Sequence, residues 1–225
     1  MPILVVNRVD KTYDGGGRAV NALRGVSFEA EGGDFIALMG PSGCGKSTLL
    51  HILGGMDRPN AGTVTLNGIE LDSLSDEALA RLRRKRVGFV FQFFNLLPTL
   101  TVAENVALPL MLDGAENSKS SNRTREMLSR VGLAERSAHY PAELSGGEMQ
   151  RAAVARAVVT QPDLILADEP TGNLDTDNGN QVMSLLDQLN RELGLTIIVA
   201  THSVEAAQYA RRTLRMRDGL IEELR

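Results

Sequence analysis

The sequence predicts an α/β fold: a mainly parallel β-sheet with a helical segment inserted into it. Three observations predict this. Short apolar runs of strand length alternate with stretches of helical period along most of the 225 residues, the pattern of a sheet covered by helices on both faces. One such run, residues 34–39, leads straight into a glycine-rich loop and then a helix. Between residues 93 and 160 the alternation is lost and helical period takes over.

Residues 3–12 read as a strand, Gly15-Gly16-Gly17 as a turn, and residues 22–29 as a second extended run. Residues 34–39 (DFIALM) are a buried strand bounded by Gly33 and Gly40. Residues 46–54 follow as a helix, and 63–66 as a strand closed by the Asn67-Gly68 turn. Residues 75–86 form a charged helix with Ser75 as its N-cap, and 87–91 a buried strand. Inside the helical block, the polar stretch 114–122 reads as an exposed loop. Residues 164–167 are a strand, 178–192 a helix and 195–200 a strand. A short helix and two strands around Asp218-Gly219 complete the chain. No internal repeat is visible.

Composition narrows the function classes. Hydrophobic residues make up 43% and charged residues 23%, which excludes a disordered or collagen-like chain. Lysine and arginine total 24 against 28 acids, a net charge of −4, so the chain as a whole is not a general binder of phosphate backbones. Aromatics at 4% with no tryptophan leave few platforms for single-stranded nucleic acid. The single cysteine, Cys44, fits a reducing cytoplasm. No run is apolar for long enough to span a bilayer, and the opening residues do not read as a signal peptide. A soluble protein is expected. The basic run 81–86 reads as a solvated helix end; a lipid or nucleic-acid contact is its alternative.

The chemistry begins at residues 40–47, Gly-Pro-Ser-Gly-Cys-Gly-Lys-Ser, which fit G-x-x-x-x-G-K-[ST] between a strand and a helix. Glycines let successive amides face one anion. Lys46 supplies a point charge for β and γ phosphates, and the Ser47 hydroxyl is a hard oxygen ligand for Mg²⁺. Such a loop needs a carboxylate. The apolar strand 164–167 ends in Asp168 and Glu169, and ligands of open α/β sheets gather at such strand ends. Asp168 is placed for the metal's water shell and Glu169 for an attacking water. The plainer alternative is an acidic strand end left in water. In Leu144-Ser145-Gly146-Gly147-Glu148-Met149-Gln150, Ser145 and Glu148 form a capping box. The box does not account for two glycines in a first helical turn, which read as a second anion-binding helix start.

With these residues in place, the chain resembles an ATP-binding cassette (ABC) ATPase subunit over nearly its whole length. Walker A is 40–48, Walker B is 164–168 and the signature is LSGGEMQ, 144–150. Gln92 matches the Q-loop, Leu174-Asp175 the D-loop, His202 the switch histidine and Tyr13 the aromatic that stacks on adenine. PTGNLD at 170–175, FVFQFFNLLPTLTVAENVALPL at 89–110 and MRDGLIEE at 216–223 are similar to the lipoprotein-release and macrolide-export (LolD and MacB) branch. Gly172-Asn173 support that branch and are expected to leave the mechanism untouched.

The resemblance implies a P-loop NTPase (RecA-like) core with an N-terminal antiparallel β part, all one ABC ATPase domain, 1–225. Residues 1–92 and 161–225 would form the core and about 93–160 the helical subdomain. ATP and Mg²⁺ are the implied ligands. Tyr13, Gly40, Ser42, Gly43, Cys44, Gly45, Lys46, Ser47, Thr48 and Gln92 would bind ATP. Ser47, Gln92 and Asp168 would serve the metal. Glu169 would be the general base and His202 the γ-phosphate sensor. Ser145, Gly146, Gly147 and Asp175 would reach the ATP of a second, identical subunit.

The implied partners are that second copy and an integral membrane permease of the MacB/LolC-E type, with no nucleic acid. The implied place is the cytoplasm, peripheral on the inner face of the cell membrane. Phe93, Phe94, Leu96 and Leu97 would either form a groove for a permease helix or fill the helical core. Tyr13 has a core position as its alternative. Cys44 occupies a variable position of the loop and is expected to do no chemistry, with alkylation, favoured by its place at a helix start, as the alternative. The competing functions are a soluble ABC ATPase acting on nucleic acid or ribosomes, and a small-molecule kinase, in which LSGGEMQ has no role.

Overall fold

Strand-forming runs with no polar face must be covered on both sides, and the computed structural model, which describes residues 2–15 and 18–224, places them so. Six strands form one sheet in the order β10 (Leu220–Leu224), β9 (Arg212–Arg217), β3 (Phe35–Met39), β8 (Thr196–Thr201), β7 (Leu164–Asp168), β6 (Val87–Phe91). All its pairings are parallel except β9 with β10. Four strands form a second, antiparallel sheet in the order β2 (Arg18–Ala30), β1 (Leu4–Gly15), β4 (Ala61–Leu66), β5 (Ile69–Glu70). The expected α/β architecture and its N-terminal antiparallel part are both present.

The period-two alternation of each central strand divides the core into two layers. Leu164, Leu166, Ile198, Ala200, Ile36 and Leu38 face one cluster, shared with helix α1 (Lys46–Leu53) and the antiparallel sheet. Ile165, Ala167, Ile197, Val199 and Phe35 face the other. That second cluster runs without a break into α3 (Val102–Leu112), α4 (Asn117–Arg130), α5 (Gly146–Val158) and α6 (Thr176–Leu193). Close backbone approach seats α5: a Cβ on Gly88 of β6 would lie 2.2 Å from the Ala157 carbonyl. Helix α6 starts at its N-cap Asp175 and stops at Gly194, whose φ of 66° is the left-handed stop glycine favours. The short α7 (Val204–Ala207) follows β8. Among the described residues, no helix is long and apolar enough to cross a membrane.

Two expectations are amended, and a third lies outside the described residues. The stretch 114–122 is not a loop throughout, because α4 begins at Asn117. Its inward face opens with Ser120 and Thr124, buried although polar, before Met127 and Leu128. A pattern of apolar residues could not register that first turn and a half. The basic run 81–86 is not simply a solvated end of α2 (Asp76–Arg86). Arg83 donates to the Gly55 carbonyl and Arg84 to the Leu112 carbonyl, while Lys85 and Arg86 pair with Asp113 and Asp163. The run fastens α2 to its neighbours. The glycine turn after β1 falls on residues 16 and 17, outside the described residues, although β1 and β2 extend to Gly15 and from Arg18 as a hairpin requires. Ser75 caps α2 as expected, accepting from the Ala78 amide.

The segment after β6 has no regular structure of its own, and Asn105 supplies what it lacks. Fully buried, Asn105 accepts from the Leu97 amide at 2.7 Å and donates to the carbonyls of Leu97, Leu100 and Thr101. Replacing it with alanine strands these groups, at about 1–3 kcal/mol. Asn105→Ala should melt several degrees below wild type in a thermal scan, and an unchanged Tm would remove Asn105 from this role.

Candidate active site

Strand β3 ends at Met39 and α1 begins at Lys46, so six residues must turn the chain in between. Glycine is forced at two of them by space. A Cβ on Gly40 would sit 2.2 Å from the Met216 carbonyl, and one on Gly45 would sit 2.4 Å from the Ala22 carbonyl, with φ at 109°. Gly43 also has positive φ, 78°, but faces open space. Helix α1 has no side-chain cap and no acid in its first turn, which leaves its amides and positive dipole end available to an anion. Lys46 is 6% exposed, and its ammonium donates to the carbonyls of Gly40 (2.7 Å) and Pro41 (3.2 Å). Ser42 and Ser47 are exposed and Thr48 is half-buried. Cys44 is buried in the apolar cluster, which agrees with the reading that it does no chemistry and goes against the alkylation alternative: packing shields the thiol.

The loop lines a cavity of about 480 Å³ together with Tyr13, Val20, Asn21, Ala22, Arg24, Asp218 and Gly219. Sequence reasoning found Tyr13 and the loop but missed the rest. These residues reach the site through β2 and the β9–β10 turn, far away in sequence, and the Gly219 amide donates to the Cys44 carbonyl. Tyr13 is 40% exposed and donates its hydroxyl to Asp57 at 2.7 Å. The alternative that placed it in the core is thereby excluded.

Parallel register brings the acids to the loop. Phe91 of β6 pairs with Asp168 of β7, and Asp168 with Ala200 of β8, so Gln92, Glu169 and His202 all leave the sheet at its carboxyl end. Glu169 bridges two of the expected residues: Oε1 lies 3.6 Å from the Lys46 ammonium and Oε2 lies 3.0 Å from Nδ1 of His202. Its backbone is held at φ 45° by its amide's bond to the Ala200 carbonyl, an arrangement unfavourable for glutamate that recurs at functional sites. The Oδ1 atom of Asp168 is buried with no hydrogen-bond partner, a vacancy that a metal-bound water would satisfy. That orphaned oxygen and the exposed Ser47 hydroxyl are both hard oxygens, the donor chemistry that fits Mg²⁺.

Gln92 points elsewhere. It donates to Asn173 Oδ1 (3.2 Å), and Asn173 returns a bond to the Gln92 carbonyl (3.0 Å). A Cβ on Gly172 would meet the Gln92 amide nitrogen at 2.8 Å. Gly172-Asn173, read from sequence as mechanistically neutral, are therefore the seat on which Gln92 rests, and no hydrogen bond joins Gln92 to Ser47 or Asp168.

Ser145, Gly146, Gly147 and Asp175 are brought together, and none of them lines the loop cavity, although Asp175 lines a second cavity with Glu169 and His202. Ser145 caps α5, its hydroxyl and amide both bonding to Glu148. These two bonds, amide first, hold the Glu148 carboxyl below the usual range against a small opposing effect of burial. Asp175 binds the amide and side chain of Asn178 at 2.9 and 2.7 Å, which likewise lowers its pKa. Asn178 in turn presses on Gly147, where a Cβ would lie 2.2 Å from its Oδ1. Packing thus explains one of the two glycines that the capping box left over. Gln150 was passed over in the sequence, yet it is fully buried and donates to the Pro170 carbonyl at 2.7 Å and the Phe91 carbonyl at 3.3 Å.

Comparison with known proteins identifies the family. A family model described as ABC transporter matches residues 23–172. An uncharacterized ABC transporter ATP-binding protein of Thermotoga maritima is 49% identical over 94% of this chain and 90% of its own length. The lipoprotein-releasing system ATP-binding protein LolD of Geobacter metallireducens is 47% identical over 97% of both chains. The macrolide export ATP-binding/permease protein MacB of Bdellovibrio bacteriovorus is 47% identical over 96% of this chain, but that match spans 33% of its own length. Among solved structures, the ATP-binding cassette MJ0796 in a dimeric, post-hydrolysis state bound to ADP and Pi superposes with a TM-score of 0.91 at 40% identity, covering 99% of this chain and 97% of that one. The chain belongs to the ABC transporter family and is an ATP-hydrolysing subunit of that family.

The two positive-φ glycines of the loop differ in surroundings, and their substitutions should differ accordingly. Gly43→Ala meets no atom and carries only the left-handed backbone penalty, about 1–2 kcal/mol. Gly45→Ala adds a collision with the Ala22 backbone, and overpacking of that kind costs about 1–3 kcal/mol more. Thermal melts of the two variants should therefore rank Gly45→Ala well below Gly43→Ala, and equal melting temperatures would contradict the close approach of β2 to the loop.

Proposed function

We propose that this subunit works as one of two identical motors that close around two ATP molecules and drive a separate membrane permease of the MacB/LolC-E type, in export or lipoprotein release. The observation that carries the reading is the separation, within one chain, of the phosphate loop from the helix start at Ser145. One nucleotide can use both only across a two-fold interface. The MJ0796 cassette, solved as a dimer, supports such an interface here. A position on the inner face of the cell membrane follows from attachment to the permease.

In this reading Lys46 exchanges the carbonyls of Gly40 and Pro41 for the β and γ phosphates, and the bare start of α1 supplies amides to the same oxygens. Glu169 exchanges Lys46 for a water molecule, takes its proton, and leaves it to attack the γ-phosphate. His202 sits beside Glu169, where it reports whether the γ-phosphate is present. Ser47, Gln92 and Asp168 would hold Mg²⁺, Gln92 once released from Asn173. Bound there, the ion neutralises phosphate charge. Ser145, Gly146, Gly147 and Asp175 close on the partner's nucleotide.

Residues 1–92 and 161–225 act as the core and about 93–160 as the arm that moves. Between them lies an apolar cleft of about 340 Å³ lined by Met56, Phe89, Phe91, Leu108 and Leu112, suited to a cytoplasmic helix of the permease. None of the four residues expected at that contact lines this cleft: Phe93 and Leu97 are exposed, Phe94 is half-buried and Leu96 packs on the core.

Two variants test the reading. Glu169→Gln keeps every binding group and removes the base, so turnover should fall about 10²–10⁴-fold. With ATP and Mg²⁺ it should elute as a dimer in size-exclusion chromatography, and with ADP as a monomer. Near-wild-type turnover would take the role of base from Glu169. Ser145→Arg should still bind ATP as a single subunit but neither dimerise nor hydrolyse it. A Ser145→Arg protein with normal ATPase activity would refute the two-chain site.

A further inference from the structure

Phosphate chemistry makes no use of one buried cation near the site. Lys11 is 9% exposed, and its ammonium donates to Asp57 Oδ1 at 2.6 Å and to the Arg58 carbonyl at 2.7 Å. It also lies 4.9 Å from the centroid of the Tyr13 ring, within cation–π range. The other oxygen of Asp57 accepts the Tyr13 hydroxyl at 2.7 Å. One carboxylate thus holds both the ring's polar end and the cation that covers one of its faces. Lys11 and Tyr13 are two apart on β1, with a register irregularity against β2 between Lys11 and Thr12.

The loop that carries Asp57 is itself firmly held. It continues from the end of α1, with the Asp57 amide donating to the His51 carbonyl. The Thr12 amide donates to Asn60, and the Asn60 amide donates back to the Asp10 carbonyl. The helix that begins at the phosphate loop therefore also anchors, at its far end, the group that holds the ring. Ionisation keeps the anchor intact. Burial alone would raise the Asp57 pKa, but the bonds from Lys11, Tyr13 and the Arg58 amide outweigh it and hold the carboxyl below its ordinary value. Burial first, and then the bond to Asp57, push the Tyr13 phenol up. The acceptor is therefore charged and the donor protonated throughout the neutral range.

We propose that Lys11 and Asp57 are positioning residues for base recognition. They lock the Tyr13 ring with one face occupied by Lys11 and the other presented to the nucleotide cavity, so that the ring is ordered before the nucleotide arrives. The proposal rests on the reading that Tyr13 stacks on the base. Its consequence is selective: the pair contributes to affinity for a nucleotide and nothing to affinity for a bare triphosphate. A pair that merely fastened β1 to α1 would affect both ligands alike, because α1 carries the phosphate loop.

Titration calorimetry of the full chain with ATP and with inorganic tripolyphosphate separates these cases. Tyr13→Phe keeps the ring and loses the hydroxyl's bonds to Asp57 and Thr48, and Lys11→Met, which leaves Thr48 untouched, removes the cation at similar length. Each should weaken ATP about two- to tenfold, the cost of ordering one side chain on binding, and leave tripolyphosphate within twofold. In ATPase assays the KM of Lys11→Met should rise by the same factor while its kcat at saturating ATP stays unchanged. Tyr13→Ala should weaken ATP further, again without affecting tripolyphosphate. Equal losses for both ligands in Tyr13→Ala would refute the stacking reading and the proposal with it. A selective loss in Tyr13→Ala with none in Tyr13→Phe and Lys11→Met would overturn the positioning role alone, as would equal losses for both ligands in Lys11→Met. Should Lys11→Met not fold, Tyr13→Phe decides by itself.

Discussion

The Lys46 ammonium, almost completely removed from water, sits where β3, β7 and β8 end. A charge so placed must be met by hydrogen bonds and opposite charge. Two loop carbonyls and Glu169 meet it here. Most of the surrounding geometry is what that arrangement requires. The chain must double back between β3 and α1, so Gly40 and Gly45 pass within contact distance of the β9 and β2 backbones. Glu169 must face the loop rather than continue its strand, so its backbone takes a left-handed conformation. Giving up the carbonyls as partners requires other acceptors in their place, a role that phosphate oxygens can fill.

What the residue string disclosed follows the range of the interactions. The loop, the two acids at the end of β7 and the capping box of α5 are local: each is a few residues long and each was legible with its structural context. The two-layer core was legible too, because continuous apolar strands admit no other cover. Contacts made by polar groups over long distances were not legible. Gly147 is small because Asn178 lies against it, and Gly172 because Gln92 does. Neither partner is near in sequence, and neither pair has a period or a composition to reveal it. Helix α4 was read as starting late because Ser120 and Thr124 face inward, and binary patterning counts small hydroxyl residues as exterior.

Those long-range polar contacts are also what joins the separate parts of the site. Helix α5 carries Ser145 at its start, Gln150 in its middle and Arg156 near its end. Gln150 holds the backbone that follows β6 and β7. Arg156, whose burial lowers its pKa, donates to the carbonyls of Phe94 and Asn95. Those two residues both have positive φ, a conformation that side chains other than glycine take up only under constraint. Arg156 is that constraint. The segment immediately after Gln92 is therefore held in its bend by the helix that Ser145 caps at its other end.

Rearrangement at the site is accordingly a question of which polar partners are exchanged. Gln92 is bonded to Asn173, Asn173 is two residues before Asp175, and Asp175 reaches Gly147 through Asn178. Gln92 cannot turn toward a metal ion without giving up Asn173, and Asn173 lies in the same short turn that positions Asp175 at the start of α6. None of these bonds is deeply buried, so each can be traded for another at small net cost. The apolar layers beneath them cannot shift so cheaply, because close packing resists partial displacement. The chain thus combines a core that fixes the strand ends with a surface of exchangeable hydrogen bonds, and a ligand that displaces the first of those bonds has a continuous route to the face where a partner subunit would dock.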